Sequence, residues 1–508
     1  MSEHHGSKDF EENMALIDMN HLRYEACESV CASSNANTNL TNFSPNSMSN
    51  CIGGEQPSII FNTGASYSDA LKSFIQVTLT VNVTGTGVAG TDPAFFAFGN
   101  NVMQDGGDAK GVNGTTYKNG GGSILNLLCK EVNHQSKSGE LLYRELFKNQ
   151  VASTSRLYKI DKSRRGYIGT NGGAQIDPES GLVKYPLFPV GVPVTFQLGL
   201  SEISDFFGCA SLIPPMLLSG SILRLTLEKP SAAMVLYTQS GDVVSTTGTL
   251  DSVNLKNMVC YLRQNELYDS VNSLIMSSAA SLETNGLQYC YNTTFNTVYP
   301  INSSTFNFDI QLSAAKISSV ILKFRRKNQF TSPNKATSAL DPQDPVAAAD
   351  LSELSTMGTD PNNMSFSINV RVGNYIYPLY PVQFAADAFQ MVCNTLNPIA
   401  FSGAADPDPL KSVNRLMAGN ISYSDFTHSK PTGAGSAAIN GVGSGCCLFG
   451  FSFEKSSAVN IAGISSNNAR ILSIEVQNMA NAANFVCFAS VNYLQIANVS
   501  TDNVVVNK

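Results

Sequence analysis

Apolar and polar positions alternate in short runs through most of this chain of 508 residues. In FNFDIQL, Phe306, Phe308, Ile310 and Leu312 take every second place. In SFIQVTLTVNVT (73–84), Phe74, Val77, Leu79 and Val81 give a partly alternating pattern. A period of two puts successive side chains on opposite faces, so these runs predict strands with one buried face. The same reading predicts strands at PSIIF (57–61), VPVTFQLGL (192–200), SILRLTLE (221–228), NLKNMVCYLRQ (254–264) and ISSVILKFRR (317–326). Further strands are predicted within MSFSINVRVGNYIYPLYP (364–381), CCLFGFSFE (446–454), ARILSIEVQ (469–477) and NFVCFASVNYLQIANV (484–499). Residues 122–150 read as a strand, a turn at Ser138-Gly139, and a strand or short helix.

Two stretches break this rhythm. Leu267, Val271, Leu274, Ile275 and Ala279 fall at helical spacing ahead of the stop signal Asn285-Gly286, which predicts a connecting helix over 265–284. FAADAFQMVCNTL (384–396) reads as a short apolar helix. Two long excursions rich in Gly, Asn, Asp and Pro, 99–122 and 332–363, separate strands; unstructured insertions of that length sit at the surface. Residues 1–55 read as a flexible arm with a short helix in 12–30. The expected organisation is therefore an arm (1–55), a first β domain (56–264), the helix (265–284) and a second β domain (285–508). Short strands with both tight turns and very long loops suit an all-β fold of two consecutive eight-stranded jelly rolls, with long inserted loops and short connecting helices. No period in the sequence relates the halves.

Composition agrees with this pattern. Charged residues are only 14% of the chain, against about a quarter in ordinary soluble domains. With 39 Gly, 21 Pro and no Trp, the chain is turn-rich, and its polar surface must come from Asn, Ser, Thr and Gln. Weakly charged faces suit a repeated assembly in which neighbours cover them. The formal net charge of -7 argues against a general grip on nucleic acid. Eleven scattered cysteines and no signal peptide at the start predict free thiols, and the Asn-x-Ser/Thr sites then carry no weight. No apolar run reaches the length of a membrane span.

Candidate chemistry is thin. Gly85-Thr-Gly87-Val-Ala-Gly90 matches a dinucleotide fingerprint but runs into TDPAFFAF, where no helix can present its amides to a pyrophosphate, so it reads as a turn. Cys27 and Cys31 lack the second pair that a zinc site requires, and the adjacent Cys446 and Cys447 point to opposite faces of a strand. Of the histidines, His4, His5 and His21 lie in the arm, His134 beside a predicted hairpin and His428 in a loop. No catalytic, cofactor-binding or metal-binding constellation is expected, and the chain is not read as an enzyme. The basic run Lys323, Arg325, Arg326 and Lys327 ends a strand; it reads as a solvated strand end or as a basic contact for phosphate or a partner. Lys159, Lys162, Arg164 and Arg165 form a second such cluster.

Several stretches together resemble one family. They are GSILNLLCKEV with SGELLYRELFKNQ, FPVGVPVTFQLGLSEISDFFGCASLIPPMLLSGSILRLTLE (188–228), RVGNYIYPLYPVQFAADAFQMVCNTL (371–396), and GISSNNARILSIEVQ followed by NFVCFASVNYLQI (463–496). The chain is similar to the double jelly-roll major capsid proteins of icosahedral double-stranded DNA viruses, most of all to those of polinton-like viruses, adintoviruses and virophages. In that family a strand leads into Leu-x-x-Leu/Ile-x-x-Phe-Phe, a loop and another strand; Leu200, Ile203, Phe206 and Phe207 fall on this pattern. The resemblance implies that these residues pack under an ordered connection whose path Pro214 and Pro215 fix. It adds Tyr375, Tyr377 and Phe384 as structural or interface candidates.

The resemblance further implies a homotrimer with a pseudo-hexagonal base, tiling a capsid with neighbouring capsomers. Minor capsid or penton proteins would be engaged through the N-terminal arm. Direct DNA contact would be weak or absent, no cofactor is implied, and an internal membrane is compatible but not indicated. The place of action would be the virion, assembled inside the infected cell. Two other readings stand beside it: a vertex or spike component of such a particle, and a carbohydrate-active β-sandwich. The second would need a carboxylate pair and an aromatic platform, and the chain has no Trp.

Overall fold

We describe a computed structural model of the chain. It describes residues 31–35, most of 56–98, 123–149, 187–238, 249–280, 287–326, 363–384, 448–453 and 463–507, and short pieces within 172–184 and 387–395. The first half contains β1 (Cys31–Asn35), β2 (Ser58–Ile60), β3 (Tyr67–Thr84), β4 (Pro93–Phe98), β5 (Glu131–Gln135), β6 (Leu141–Leu146), β7 (Gln175–Ile176), β8 (Val183–Lys184), β9 (Phe188–Pro189), β10 (Val194–Gly199), β11 (Ile222–Thr226), β12 (Met234–Thr238) and β13 (Thr249–Asn265). The second contains β14 (Leu287–Pro300), β15 (Phe306–Ile310), β16 (Ile317–Arg326), β17 (Asn363–Val372), β18 (Tyr375–Phe384), β19 (Leu448–Ser452), β20 (Leu472–Gln477), β21 (Phe485–Val499) and β22 (Val504–Asn507).

Each half closes into two facing antiparallel sheets, four-stranded except that β22 adds a fifth strand beside β21 in the second half. In the first their orders are β1-β13-β3-β10 and β2-β11-β5-β6; in the second they are β14-β21-β16-β19 and β15-β20-β17-β18. With the eight barrel strands of each half counted in chain order, both halves read 1-8-3-6 and 2-7-4-5. This is the jelly-roll arrangement, present twice, and it displays a duplication that the sequence hides.

The connectivity sorts the loops. Connections β3→β5, β6→β10 and β11→β13 leave one end of the first barrel, and strands inside them, β4, β9 and β12, pair into a separate sheet of order β12-β4-β9. The corresponding connections of the second barrel, β16→β17 and β18→β19, are its long excursions. The opposite end, called the turn end, holds the short turns 136–140 between β5 and β6 and 373–374 between β17 and β18, together with the longer β10→β11 connection.

Alternation explains the barrel walls. Ile75, Val77, Leu79 and Val81 of β3 are buried in the first core, against Phe196, Leu198, Leu223, Leu225, Cys260 and Leu262. The expected register for β3 included Phe74, but Phe74 faces outward, where it stacks on Tyr261 at 5.1 Å. In the second barrel Phe306, Phe308 and Ile310 point inward with Ile368, Val370, Ile474 and Val476.

Several elements differ from expectation. β1 lies within 1–55 and pairs with β13, Cys31 opposite Arg263 and Asn35 opposite Val259. CASSN carries no strand pattern of its own; the neighbouring edge of β13 makes it a strand. The remainder of 1–55 and the stretches 99–122 and 332–362 lie outside the described residues. β13 runs to Asn265, and the helix spans Asp269–Ala280. The helix connects the two barrels from outside them, and Leu274 and Met276 are exposed on it. It is tied at the turn end by Tyr67, whose hydroxyl donates to Asn272 Oδ1 at 3.1 Å. Gly87 and Gly90 take positive φ and lead into β4, so the glycine fingerprint is a turn.

His134 is buried beneath the turn end of the first barrel. Its Nε2 lies 2.9 Å from Ser221 Oγ, and its ring stacks on Phe207 at 5.1 Å. Burial pushes its pKa down from 6.5 to about 3. The folded state therefore refuses a proton that the unfolded chain takes up below its ordinary pKa. Stability from this group is complete above about pH 6.5 and falls by about 1.4 kcal/mol per pH unit below it. We expect the urea midpoint to drop between pH 7 and pH 4, and His134→Phe to flatten part of that slope. An unchanged slope in the variant would contradict this assignment.

Candidate functional site

The connection from β10 to β11 lies at the turn end and links the two barrels. Gly199 is extended and leads into the single helical turn Leu200–Ile203, followed by the 3-10 turn Asp205–Gly208. Leu200, Ile203, Phe206 and Phe207 are all buried. Phe207 meets Phe61 at 5.5 Å, while Phe206 packs edge-on to His134 and to Tyr291. Ile213 pairs with Ser68 through two backbone hydrogen bonds of 2.9 and 3.0 Å. Pro214 is extended and Pro215 opens the turn Pro215–Leu218, a place where a missing N–H costs nothing.

Tyr289 and Tyr291 belong to the second barrel but are buried in the core of the first. The Tyr291 hydroxyl donates to the Leu142 carbonyl. Ala497, Val499 and Val504 of β21 and β22 join the same core. Further along, the outer face of the β14-β21 sheet lies on the edge strand β6. Phe488 meets Phe147 at 6.0 Å. Asn296 Nδ2 donates to Glu145 Oε1 and to the Leu146 carbonyl, each at 2.8 Å. Thr294 Oγ1 lies 2.7 Å from Asp205 Oδ2.

A buried ion pair sits in this junction. Lys148 Nζ is 2.6 Å from Glu145 Oε2, with both side chains nearly excluded from water. The Tyr143 hydroxyl also donates to Glu145. Burial alone would lower the Lys148 pKa; the charges of Glu145 and Asp205 outweigh it and hold the ammonium above its ordinary value. Burial, Asp205 and Glu145 push the Tyr143 phenol well up. The sequence reading missed Glu145 and Lys148. The available signal was their charge in the otherwise apolar run LLYRELFKN, in a chain where charges are scarce.

The edge strand β18 is different. Tyr375, Leu379 and Tyr380 are 72, 75 and 80% exposed, and Ile376 and Tyr377 are exposed beside them. Tyr377 rests partly on Phe453 at 5.4 Å. Phe384 ends the strand opposite Asn363, and its side chain is outside the described residues. The structure thus places Tyr375 and Tyr377 on a surface, whereas the 200–215 candidates are interior and hold the barrels together.

Of the basic run, Lys323 is buried on β16, paired with Phe488 and Leu448. A solvated strand end was one expectation for this run; Lys323 departs from it because its face is covered at the junction. The side chains of Arg325 and Arg326, all of Lys327, the cluster at 159–165, His428 and Cys446–Cys447 lie outside the described residues. Among the described residues no group of three His, Cys, Asp or Glu side chains could hold a metal. No described helix is long and apolar enough to cross a membrane.

No protein-family model matches the chain, and no curated protein matches it by sequence. Solved structures similar to it include major capsid proteins of several viruses. The Faustovirus major capsid protein aligns with a TM-score of 0.49 at 10% identity, over 97% of this chain and 98% of that one. The mavirus major capsid protein aligns at 0.45 and 10%, over 94% and 90%. PBCV-1 VP54, fitted into a reconstruction of the virophage Sputnik, aligns at 0.47 and 8%, over 94% and 96%.

Removing one member of a buried ion pair strands the other, at a cost of about 3–5 kcal/mol. Lys148→Met and Glu145→Gln should each lower stability on that scale, and the double variant should lose less than their sum. Urea unfolding of the four proteins provides the cycle; additive losses would show that the pair is not coupled.

Proposed function

We propose that this chain is the major capsid protein of an icosahedral double-stranded DNA virus and acts as a structural building block rather than as an enzyme. One observation carries the reading. Two jelly rolls of identical strand order stand side by side, their excursions at the same end, fused through a shared core. The shared direction follows from the chain itself. β13 ends and β14 begins at the turn end, where Tyr289 and Tyr291 meet Phe206.

A rigid pair of upright barrels is a third of a six-cornered tile. Three copies in a closed ring give a pseudo-hexagonal capsomer that packs edge to edge with others, and each weak contact is multiplied by the symmetry. The excursions then crown one surface of the shell and the turn end faces the other. Residues 1–30 and 36–55 would reach neighbouring capsomers or minor capsid and penton proteins. Low charge limits repulsion between packed copies, and the acidic total leaves little role for DNA wrapping. Within this reading the two barrels, from β1 to β13 and from β14 to β22, act as one mechanical unit, and the protein resides in the virion.

Light scattering on the purified protein should give three times 54.3 kDa, and negative-stain images of the same peak should show six-cornered outlines. A stable monomer without that outline would overturn the reading.

A further inference from the structure

Three groups with complementary chemistry meet in the junction between the barrels. Glu145 holds one neighbour on each carboxylate oxygen. Lys148 Nζ lies 2.6 Å from Oε2, and Asn296 Nδ2 lies 2.8 Å from Oε1. One carboxylate therefore sets an amine of the first barrel beside a carboxamide of the second. The orientation of the amide follows from its surroundings. Nδ2 also donates to the Leu146 carbonyl at 2.8 Å, so both of its neighbours are acceptors and the nitrogen must face them. That leaves Asn296 Oδ1 buried with no hydrogen-bond partner. An amide kept only for structure normally has both ends satisfied, so this one calls for a further reason.

We propose that Lys148 and Asn296 join in an intramolecular amide cross-link, with Glu145 as the acid–base group, so that the two barrels are welded covalently. The arrangement of Lys148, Glu145 and Asn296 is the one that precedes reaction. Such a weld needs no second copy and does not depend on the capsid role.

The steps balance without a co-reactant. Lys148 gives a proton to Glu145 Oε2 and becomes a free amine, whose nitrogen attacks Cγ of Asn296 and forms the new C–N bond. Glu145 passes its proton through Oε1 to Nδ2, and the Cγ–Nδ2 bond breaks. The departing ammonia takes one more proton from the attacking nitrogen and leaves as ammonium, which carries away the charge that Lys148 began with. Glu145 ends as the carboxylate it was.

The site favours this chemistry in three ways. First, the reacting groups are held in place. Tyr143 braces the amine, with its hydroxyl 3.2 Å and its ring centroid 5.6 Å from Nζ, and fixed neighbours react as though at very high concentration. Second, the site is dry. Glu145, Lys148 and Asn296 are all buried, and Phe147, Val298, Val486 and Phe488 form an apolar cluster beside them, which keeps competing water from the amide carbon. Third, burial opposes the Lys148 charge while Glu145 and Asp205 favour it, so the ammonium is the resting form. The same burial brings the neutral amine and acid within one proton shift across the 2.6 Å contact. The reaction runs once per molecule and loses its product, so a small reactive population is sufficient.

The test is the mass of the purified full chain. It should fall short of the sequence mass by one ammonia, once any N-terminal processing is allowed for. Trypsin should no longer cut after Lys148, and a branched species should join the peptides 145–156 and 264–316. Lys148→Arg keeps the charge without the amine, and Glu145→Gln removes the acid–base group; each should restore the full mass and two linear peptides. A wild-type chain of full mass would overturn the proposal, as would an ammonia lost while both peptides stay linear. If a variant fails to fold, the wild-type peptide map alone decides.

Discussion

A sheet edge exposes unpaired backbone groups and the flanks of its side chains, and every jelly roll has such edges. The contact that covers edge strand β6 with the outer face of the second barrel organises the rest of this molecule. It places Asn296 on Glu145, buries the Lys148 charge beside it, and lets Tyr289 and Tyr291 enter the first core. Burying large aromatic side chains contributes about 1.5–3 kcal/mol each. The ion pair adds little to net stability, because desolvation offsets most of its attraction. Greasy residues at the turn end and polar ones at mid-height together fix both the distance and the angle between the barrels.

In the proposed role as a capsid tile, that rigidity is what matters: a tile must hold its angles when it is pulled by neighbours, and two barrels on a flexible tether could not. The junction hides what a single chain can hide. What is left exposed, on β18 and on the helix Asp269–Ala280, is apolar surface of the kind that oligomers cover. The longest connections leave one end because strand order sends them there, so the barrel walls stay regular.

Much of this was legible in the residues, for physical reasons that can be named. Phe306, Phe308 and Ile310 announce a strand because a half-buried wall demands period two, and the structure buries all three. Leu200, Ile203, Phe206 and Phe207 were marked by the resemblance to a family pattern rather than by their own spacing, and they are the floor of the first core. β1 was hidden because CASSN owes its strand to β13. Phe74 misled because an outward aromatic pair on a sheet looks, in sequence, like an inward one. The charges of Glu145 and Lys148 were a signal left unread, but their pairing with Asn296 was invisible, since Glu145 and Asn296 are 151 residues apart and only the folded barrels bring them together. Helical spacing over 265–284 announced the helix correctly but not its exposure, because spacing reports a stripe and not what covers it.

The most direct test is a cryo-electron microscopy reconstruction of the native oligomer at a resolution that separates barrels. The account predicts six barrels in a ring, first and second alternating, with every excursion on one surface and every short-turn end on the other. A two-fold arrangement, or barrels pointing in opposite directions, would contradict it.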